Sequence, residues 1–300
     1  MAGSFPQRVL RYRGRLAPSP TGYLHVGHAL TFFTAAERAR QAGGRLILRM
    51  EDLDPDRSRA EFAEAALEDL RWLGLHWDEG PDIGGPFKPY AQSKRHKVYL
   101  AVWRKLLQGG YIYPCRCSRK DLAAALSAPH EGAQTPLDDE PIYPGTCRPV
   151  QTDSPSPPAI TALELENPED FNWRFRVPDG EAIEFKDLNL GPQRFIAGRD
   201  FGDFLVWRRD SVPSYQLACV ADDSAMGVTE VVRGADLLKS TARQILLNQS
   251  LGFINPEWFH CRLVLDENGQ RLAKRHDALS IRTLRERGLT PSEILSMKPI

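Results

Sequence analysis

Apolar residues recur along this chain in two rhythms, and the alternation between them predicts the architecture. Residues 13–17 and the run Leu46-Ile47-Leu48 are short and apolar-bearing and predict strands, the first extended backwards by Val9-Leu10. Between them residues 18–22 form a turn rich in Pro, Ser and Gly, and residues 24–39 keep a helical period through Leu30, Phe33 and Ala36-Glu37. Residues 59–73, with Phe62, Ala66, Leu67, Leu70 and Leu73, and residues 95–107 predict two further amphipathic helices.

Four strands in succession, 172–177, 181–185, 193–196 and 203–208, then interrupt the strand-helix alternation. It resumes with strands at 215–221 and 228–232 and a helix at 240–251. Residues 264–270 predict a strand and hairpin turn, and residues 281–287 and 291–297 two short helices.

Alternation of this kind predicts an α/β protein, a Rossmann-like doubly wound parallel sheet with an inserted mixed α+β subdomain and short C-terminal helices. The expected boundaries are 1–110 for the first half of the catalytic domain, 111–212 for the insertion, 213–275 for the second half and 276–300 for the helical end. Within the insertion, residues 124–141 and 151–158 are rich in Pro and small or acidic residues and suit solvated loops.

Composition narrows the partners. A 42% hydrophobic content supports substantial cores, while zero formal net charge gives no global drive towards nucleic acid, so any RNA contact must be local. No apolar run is long enough to span a membrane, and residues 1–15 lack the hydrophobic stretch of a secretion signal. A reducing cytoplasm is therefore expected, with the five cysteines at 115, 117, 147, 219 and 261 as thiols. Cys219 and Cys261 suit packing roles.

The densest chemistry lies at His25-Val26-Gly27-His28, directly after Arg15-Leu16-Ala17-Pro18-Ser19-Pro20-Thr21-Gly22. A helix starting past a tight turn points unpaired N–H groups and a positive dipole end at the turn, which suits an anion. Gly27 admits a ligand close to the helix, and two imidazoles one turn apart can donate to phosphate oxygens. A single histidine here would be an ordinary surface cap; two of them around a glycine behind Pro-Ser-Pro-Thr-Gly favour a polyphosphate site.

This stretch resembles the His-x-Gly-His element of class I aminoacyl-tRNA synthetases, and Arg15 to Gly22 resembles the opening of their glutamyl and glutaminyl branch. Residues 271–276, Arg-Leu-Ala-Lys-Arg-His, resemble the second element of that class, a mobile basic loop that closes on the triphosphate. Ala273 stands where serine is usual, and Asp277 where glycine often follows. The resemblance implies ATP as substrate with Mg2+, catalytic roles for His25, His28 and Lys274, and ATP contacts from Ala17, Gly27, His25, His28, Arg271 and Lys274.

Three more segments fit the glutamyl pattern: residues 49–54, 214–218 and 231–238. With residues 15–19 they predict a pocket for a small zwitterion bearing an extra carboxylate, built from Arg15, Leu16, Ala17, Pro18, Ser19, Glu51, Tyr215 and Arg233. Glu51 would meet the α-ammonium group, and Arg15 and Arg233 offer planar forks for the two carboxylates, with neither assigned to a particular one. A fork facing a neutral amide would lose a charge-assisted pair, so the expected ligand is L-glutamate, not glutamine.

Cys115-Arg116-Cys117 and Cys147 read either as three reduced thiols or as three zinc thiolates needing a fourth donor. The segment is similar to the small synthetase-like family that attaches glutamate to queuosine in tRNA(Asp), where Cys-x-Cys and Tyr-x-x-x-Cys hold zinc. That similarity implies a structural Zn2+ on Cys115, Cys117, Tyr143 and Cys147. It also implies a monomer that transfers glutamate to a modified base in tRNA(Asp). Full glutamyl enzymes continue into an anticodon-binding region that this chain is expected to lack. The competing expectations are a catalytic fragment charging tRNA(Glu) and a noncatalytic RNA-binding paralogue.

Overall fold

A computed structural model of the chain describes residues 11–118, 142–149, 167–168, 170–264 and 280–297, which form two compact units. The first unit comprises residues 1–94, 225–236 and 256–300 and the second residues 95–224 and 237–255.

The first unit is built on parallel strands. Strand β1 (Arg13–Leu16) pairs with β2 (Arg45–Leu48) from Arg13↔Arg45 to Leu16↔Leu48. Beyond β2, residues 78–80 run alongside it, with Leu48 N donating to Glu79 O at 2.7 Å. On the other side of β1 lies β8 (Glu230–Gly234), tied by Thr229 N to Arg13 O at 2.9 Å and by the Arg15 guanidinium to Val232 O at 2.7 Å. Strand β9 (Glu257–Cys261) then pairs parallel to β8. The chain winds outward in one direction from β1 and in the other from β8, the order of an open wound α/β sheet. Parallel strands are covered on both faces, which explains the unbroken apolar runs at 46–48 and 231–232.

Helix α1 (Val26–Gln41) lies on this sheet and turns Val26, Ala29, Phe32, Ala35 and Ala39 inward. Its inward face is thus one position away from the expected one: Phe32 is buried and Phe33 is 37% exposed. Helix α2 (Ala60–Trp72) adds Ala66 and Leu70 to the same core, as do Leu284 of α6 (Ile281–Glu286) and Ile294 of α7 (Pro291–Leu295).

The second unit is mixed. Strands β3 (Ile112–Cys115), β4 (Asn172–Phe175) and β7 (Phe204–Trp207) form an antiparallel sheet, and β5 (Ala182–Asp187) and β6 (Gly191–Ile196) form a hairpin. Asp187 closes the hairpin turn by accepting from the backbone of Asn189 and Leu190, and Gly191 supplies the positive φ of 77°. Helix α3 (His96–Gln108) inserts Trp103 against Trp173 and Trp207, all buried. Arg95 binds Asp222 at 2.6 Å, and the Tyr99 hydroxyl donates to the same carboxylate at 2.9 Å. Helix α5 (Leu238–Leu251) ends at Gly252 in the left-handed region, φ 68°.

The strand expected at 215–221 is instead helix α4 (Tyr215–Ala225), and Cys219 is therefore a buried helical thiol. Five consecutive buried residues, Leu217 to Ala221, carry no period that separates a buried helix from a buried strand. The deciding signal was Ser214, whose hydroxyl accepts from Leu217 N at 3.3 Å and whose carbonyl accepts from Ala218 N. Cys261 packs half-buried against the core of the first unit. Residues Val9-Leu10 and the turn expected at 265–270 lie outside the described residues, and no described helix is long and apolar enough to cross a membrane.

Asp69 of α2 is buried without exposure, and neither carboxylate oxygen accepts a hydrogen bond from any described residue. The nearby Arg282 and Arg285 bind the neighbouring Glu68 at 2.5 and 3.1 Å, leaving Asp69 only an Arg282 contact at 3.7 Å. Burial pushes the Asp69 carboxyl up to about 6, which the two arginines offset only in part. Its folded-state value lies above the unfolded one, so the folded chain binds the proton more firmly and stability falls as pH rises from about 4 to 6, then levels off. Asp69→Asn is expected to stabilise the protein by about 1–2 kcal/mol at pH 7.5, with the gain fading towards pH 4. Urea unfolding at both pH values checks this; an equal gain at each would contradict it.

Candidate functional site

The turn after β1 is pinned before the helix begins. Arg49 N donates to Leu16 O at 2.8 Å, Glu51 N to Pro18 O at 2.9 Å and Arg59 N to Pro20 O at 2.9 Å, so residues 16–20 are held by the segment that leaves β2.

His25 is the N-cap of α1, in extended conformation at φ −118° and ψ 172°. Its Nδ1 accepts from Gly27 N at 3.1 Å, and the Nδ1 of His28 accepts from His25 N at 3.2 Å. This is a capping box in which two histidines do the work usually given to Ser or Thr and Glu. An Nδ1 that accepts a backbone N–H carries no proton, so each neutral ring holds its hydrogen on Nε2 and presents a donor there. The rings lie 3.8 Å apart at 31°, and His28 stacks on Phe32 at 6.1 Å. The first turn of α1 contains no acidic residue, so nothing there competes with an anion for the helix dipole.

Gly27 has a steric reason to be glycine. A Cβ on it would stand 3.0 Å from Cε1 and 3.2 Å from Nδ1 of His25, so the ring would have to give by a few tenths of an ångström. Val264 lies beyond, its Cγ2 at 3.9 Å from the same point. Ser280 forms an antiparallel bridge with His25, and Ile281 N donates to Leu24 O at 2.8 Å. The described residues on both sides of segment 265–279 therefore meet at the histidine corner, while Arg271 and Lys274 themselves lie outside the described residues.

Of the eight residues expected to bind the amino acid, seven belong to the first unit, on adjacent strands and the loops that leave them. Arg15 and Leu16 are buried on β1, Ala17 and Pro18 follow, and Ser19 is exposed at the turn. Glu51 follows β2 and accepts from Arg49 at 2.9 Å, with Arg49 fully buried. Arg233, buried on β8, donates from Nε to Nε2 of His260 at 3.2 Å, with its guanidinium carbon 5.0 Å from the Trp258 ring centre. Tyr215 belongs to the second unit, as the first residue of α4. The spacing of the sequence did not single out His260 or Trp258; both sit on β9, with His260 directly opposite Arg233 in the ladder.

In the second unit Cys115 ends β3 and Cys117 follows, with Tyr143 and Cys147 facing them across a turn in which Gly145 takes φ 80°. All three Sγ atoms lie within 4.8 Å of one another. Cys117 and Cys147 are 3.6 Å apart, and the Tyr143 hydroxyl is 3.5 Å from Cys115 and 3.6 Å from Cys117. Donors arranged tetrahedrally around one zinc, with Zn–S about 2.3 Å and Zn–O about 2.0 Å, are separated by about 3.5–3.8 Å. The residues present fit such an ion. Burial opposes ionisation of Cys147, but hydrogen bonds from the Tyr143 hydroxyl, the Arg116 backbone and the neighbouring thiols outweigh it and bring the thiol down to about 7. Burial pushes the Cys117 thiol and the Tyr143 phenol up.

Residues 11–297 match the family described as tRNA synthetases class I (E and Q), catalytic domain. Proteins named glutamyl-Q tRNA(Asp) synthetase from Nitratidesulfovibrio vulgaris and Symbiobacterium thermophilum are each 50% identical over 282 residues, covering 94% of this chain and 83% and 84% of theirs. Glutamate–tRNA ligase 2 of Nitrosococcus oceani is 40% identical over 280 residues, and the chain spans 57% of its length. The structure of a glutamate tRNA ligase from Elizabethkingia meningosepticum in complex with its amino acid superposes with a TM-score of 0.74 at 31% identity, over 88% of this chain and 52% of that one. The histidine corner, the wound sheet and these matches together place the chain in the class I tRNA synthetase family of the glutamyl and glutaminyl type, of which it carries the catalytic domain.

Proposed function

We propose that the chain activates L-glutamate with ATP, accompanied by Mg2+, and transfers it to queuosine in tRNA(Asp), in the cytoplasm. The observation that carries the reading is that one unit holds three features: the paired imidazoles at a helix N-terminus with both flanks of the Lys274 segment beside them, and the buried arginines of β1 and β8.

The chemistry follows from those groups. The glutamate α-carboxylate attacks the α-phosphorus of ATP and pyrophosphate leaves. His25 and His28 donate from Nε2 to phosphate oxygens as charge builds on them, in neutral tautomers held by the capping box. Lys274 is tethered to Ser280 by six residues, a reach of about 20 Å, so the covalent chain lets its ammonium meet the leaving pyrophosphate. Arg15 and Arg233 bind the carboxylates of glutamate, and Glu51, held by Arg49, accepts from its ammonium group; a carboxylate has room for several donors. A hydroxyl of the acceptor then attacks the carbonyl carbon of the mixed anhydride, forming the glutamyl ester and releasing AMP and the hydroxyl proton. Cys115, Cys117, Tyr143 and Cys147 would hold a structural zinc that ties together a segment with a small core of its own.

Queuosine as acceptor is supported by the relatives bearing that activity in their name, which are more similar to this chain, and more fully covered by it, than the glutamate–tRNA ligases. The second reading, charging of tRNA(Glu), draws on those ligases at 40% identity.

Four outcomes are expected. ATP–pyrophosphate exchange should depend on glutamate and be slower with glutamine; faster exchange with glutamine rejects the pocket. Radiolabelled glutamate should be captured by tRNA containing queuosine and not by tRNA lacking it, whereas capture that ignores queuosine favours the second reading. Lys274→Ala should slow activation by on the order of a hundredfold, and a loss below threefold would move its role elsewhere. Gly27→Ala should slow exchange at least about tenfold through the shifted His25 ring, with little net change in thermal stability, since the helix preference of alanine over glycine offsets the weakened cap. Unchanged exchange in that variant would remove His25 from the phosphate site.

A further inference from the structure

Arg174 is an arginine in the middle of β4, only 2% exposed. The register explains its position: β3 and β4 pair Cys115 with Asn172 and Tyr113 with Arg174, so the side chain is carried to the thiol end of β3. Its Nε donates to Cys115 Sγ at 3.3 Å. Its guanidinium carbon stands 3.9 Å from the centre of the Tyr143 ring, and Nη1 donates to Asp203 O at 2.9 Å. One planar group thus touches a sulfur and the phenol ring of the same four-residue cluster, while the third contact anchors it to the neighbouring backbone.

Resting on the zinc reading above, we propose that Arg174 is the positioning and charge-compensating residue of the metal site. Three thiolates and a phenolate around a dication leave two net negative charges in a poorly solvated place, a costly arrangement without a cation beside it. Arg174 supplies that cation. Its N–H···S bond draws charge from Cys115, and its stacking holds the Tyr143 ring with the hydroxyl turned to the sulfurs. An oxygen of low intrinsic affinity for zinc is thereby kept in the ligand set. Lysine cannot replace it, because a point charge on a flexible stem does not meet sulfur, ring and carbonyl at once.

The test measures zinc binding to the full chain by competition with a chromophoric chelator, with thermal unfolding of the loaded and chelated protein in parallel. Arg174→Met is expected to weaken zinc binding by about 10–100-fold, the usual effect of losing a partner behind the ligands. Arg174→Lys is expected to weaken it at least threefold. Should the methionine variant fail to fold, the lysine variant carries the test alone. Tyr143→Phe combined with Arg174→Met should weaken binding no further than about threefold beyond the worse single change, because the arginine acts partly through that ring. Zinc affinity within threefold of the parent in a folded variant overturns the proposal, as does a stability loss equal in loaded and chelated protein, which would make Arg174 a packing residue. A parent chain that binds no zinc overturns the metal reading itself, a separate result.

Discussion

The seam between β1 and β8 is the constraint on which the first unit depends. The two strands are four and five residues long, and more than 210 positions of chain separate the residues that join them. Backbone contact alone is sparse, and side chains complete it. Arg13 reaches the Met226 carbonyl at 2.9 Å and Glu79 at 2.8 Å, linking the loop before β8 to the far side of β2. Arg38 grips Glu230 through two bonds of 2.5 and 2.6 Å, while the Tyr12 hydroxyl donates to the same carboxylate at 2.8 Å. Burial and that bond to Glu230 hold the Tyr12 hydroxyl protonated, as a donor must be. The chain winds away in opposite directions from these strands, the arrangement whose carboxyl ends bind ligands in open α/β sheets; the histidine corner follows β1, Glu51 follows β2, and Arg233 is the penultimate residue of β8.

What the sequence made legible was local. The histidine corner occupies four consecutive residues, and its turn, cap and helix are each set by neighbours, so residue types and spacing were enough to read it. Three of the four cluster residues, Cys115, Cys117 and Cys147, were likewise readable as thiols at suggestive spacing. The apolar stripe of α1 was less so, because Phe32 and Phe33 are equally apolar and only the packed sheet decides which turns inward. Residues 215–221 failed for the same reason in a stronger form. The stretch 217–221 is apolar at every position and satisfies any period, and the cap at Ser214 spoke for a helix more quietly than that stretch spoke for a strand.

The illegible residues are those whose meaning comes from register. His260 matters because β8 and β9 pair it with Arg233, and Arg174 because β3 and β4 bring it to Cys115 and Tyr143. Nothing in the chain near either residue marks it out. Arg174 sits between two aromatics in a strand and reads there as a solvent-facing arginine, whereas it is buried. Pairing of strands distant in sequence is a global property, and a one-residue slip would send these side chains to the opposite face.

The charged groups inside the first unit follow one rule. Arg49 with Glu51, Arg38 with Glu230 and Arg13 with Glu79 are ion pairs in which at least one partner is almost fully buried. Removing a charge from water costs several kcal/mol, and a buried pair often adds little net stability over an apolar pair of the same volume. Their value is directional. An arginine fork and a carboxylate meet in few geometries, so each pair fixes a strand end to better precision than apolar packing does. Asp69 breaks the rule, since it is buried with its arginines drawn to Glu68, and it serves as the contrast: it fixes no strand end and is held by no hydrogen bond from a described residue. Buried charge in this unit is accordingly concentrated where direction matters, at the carboxyl ends of the strands and along the seam that aligns them.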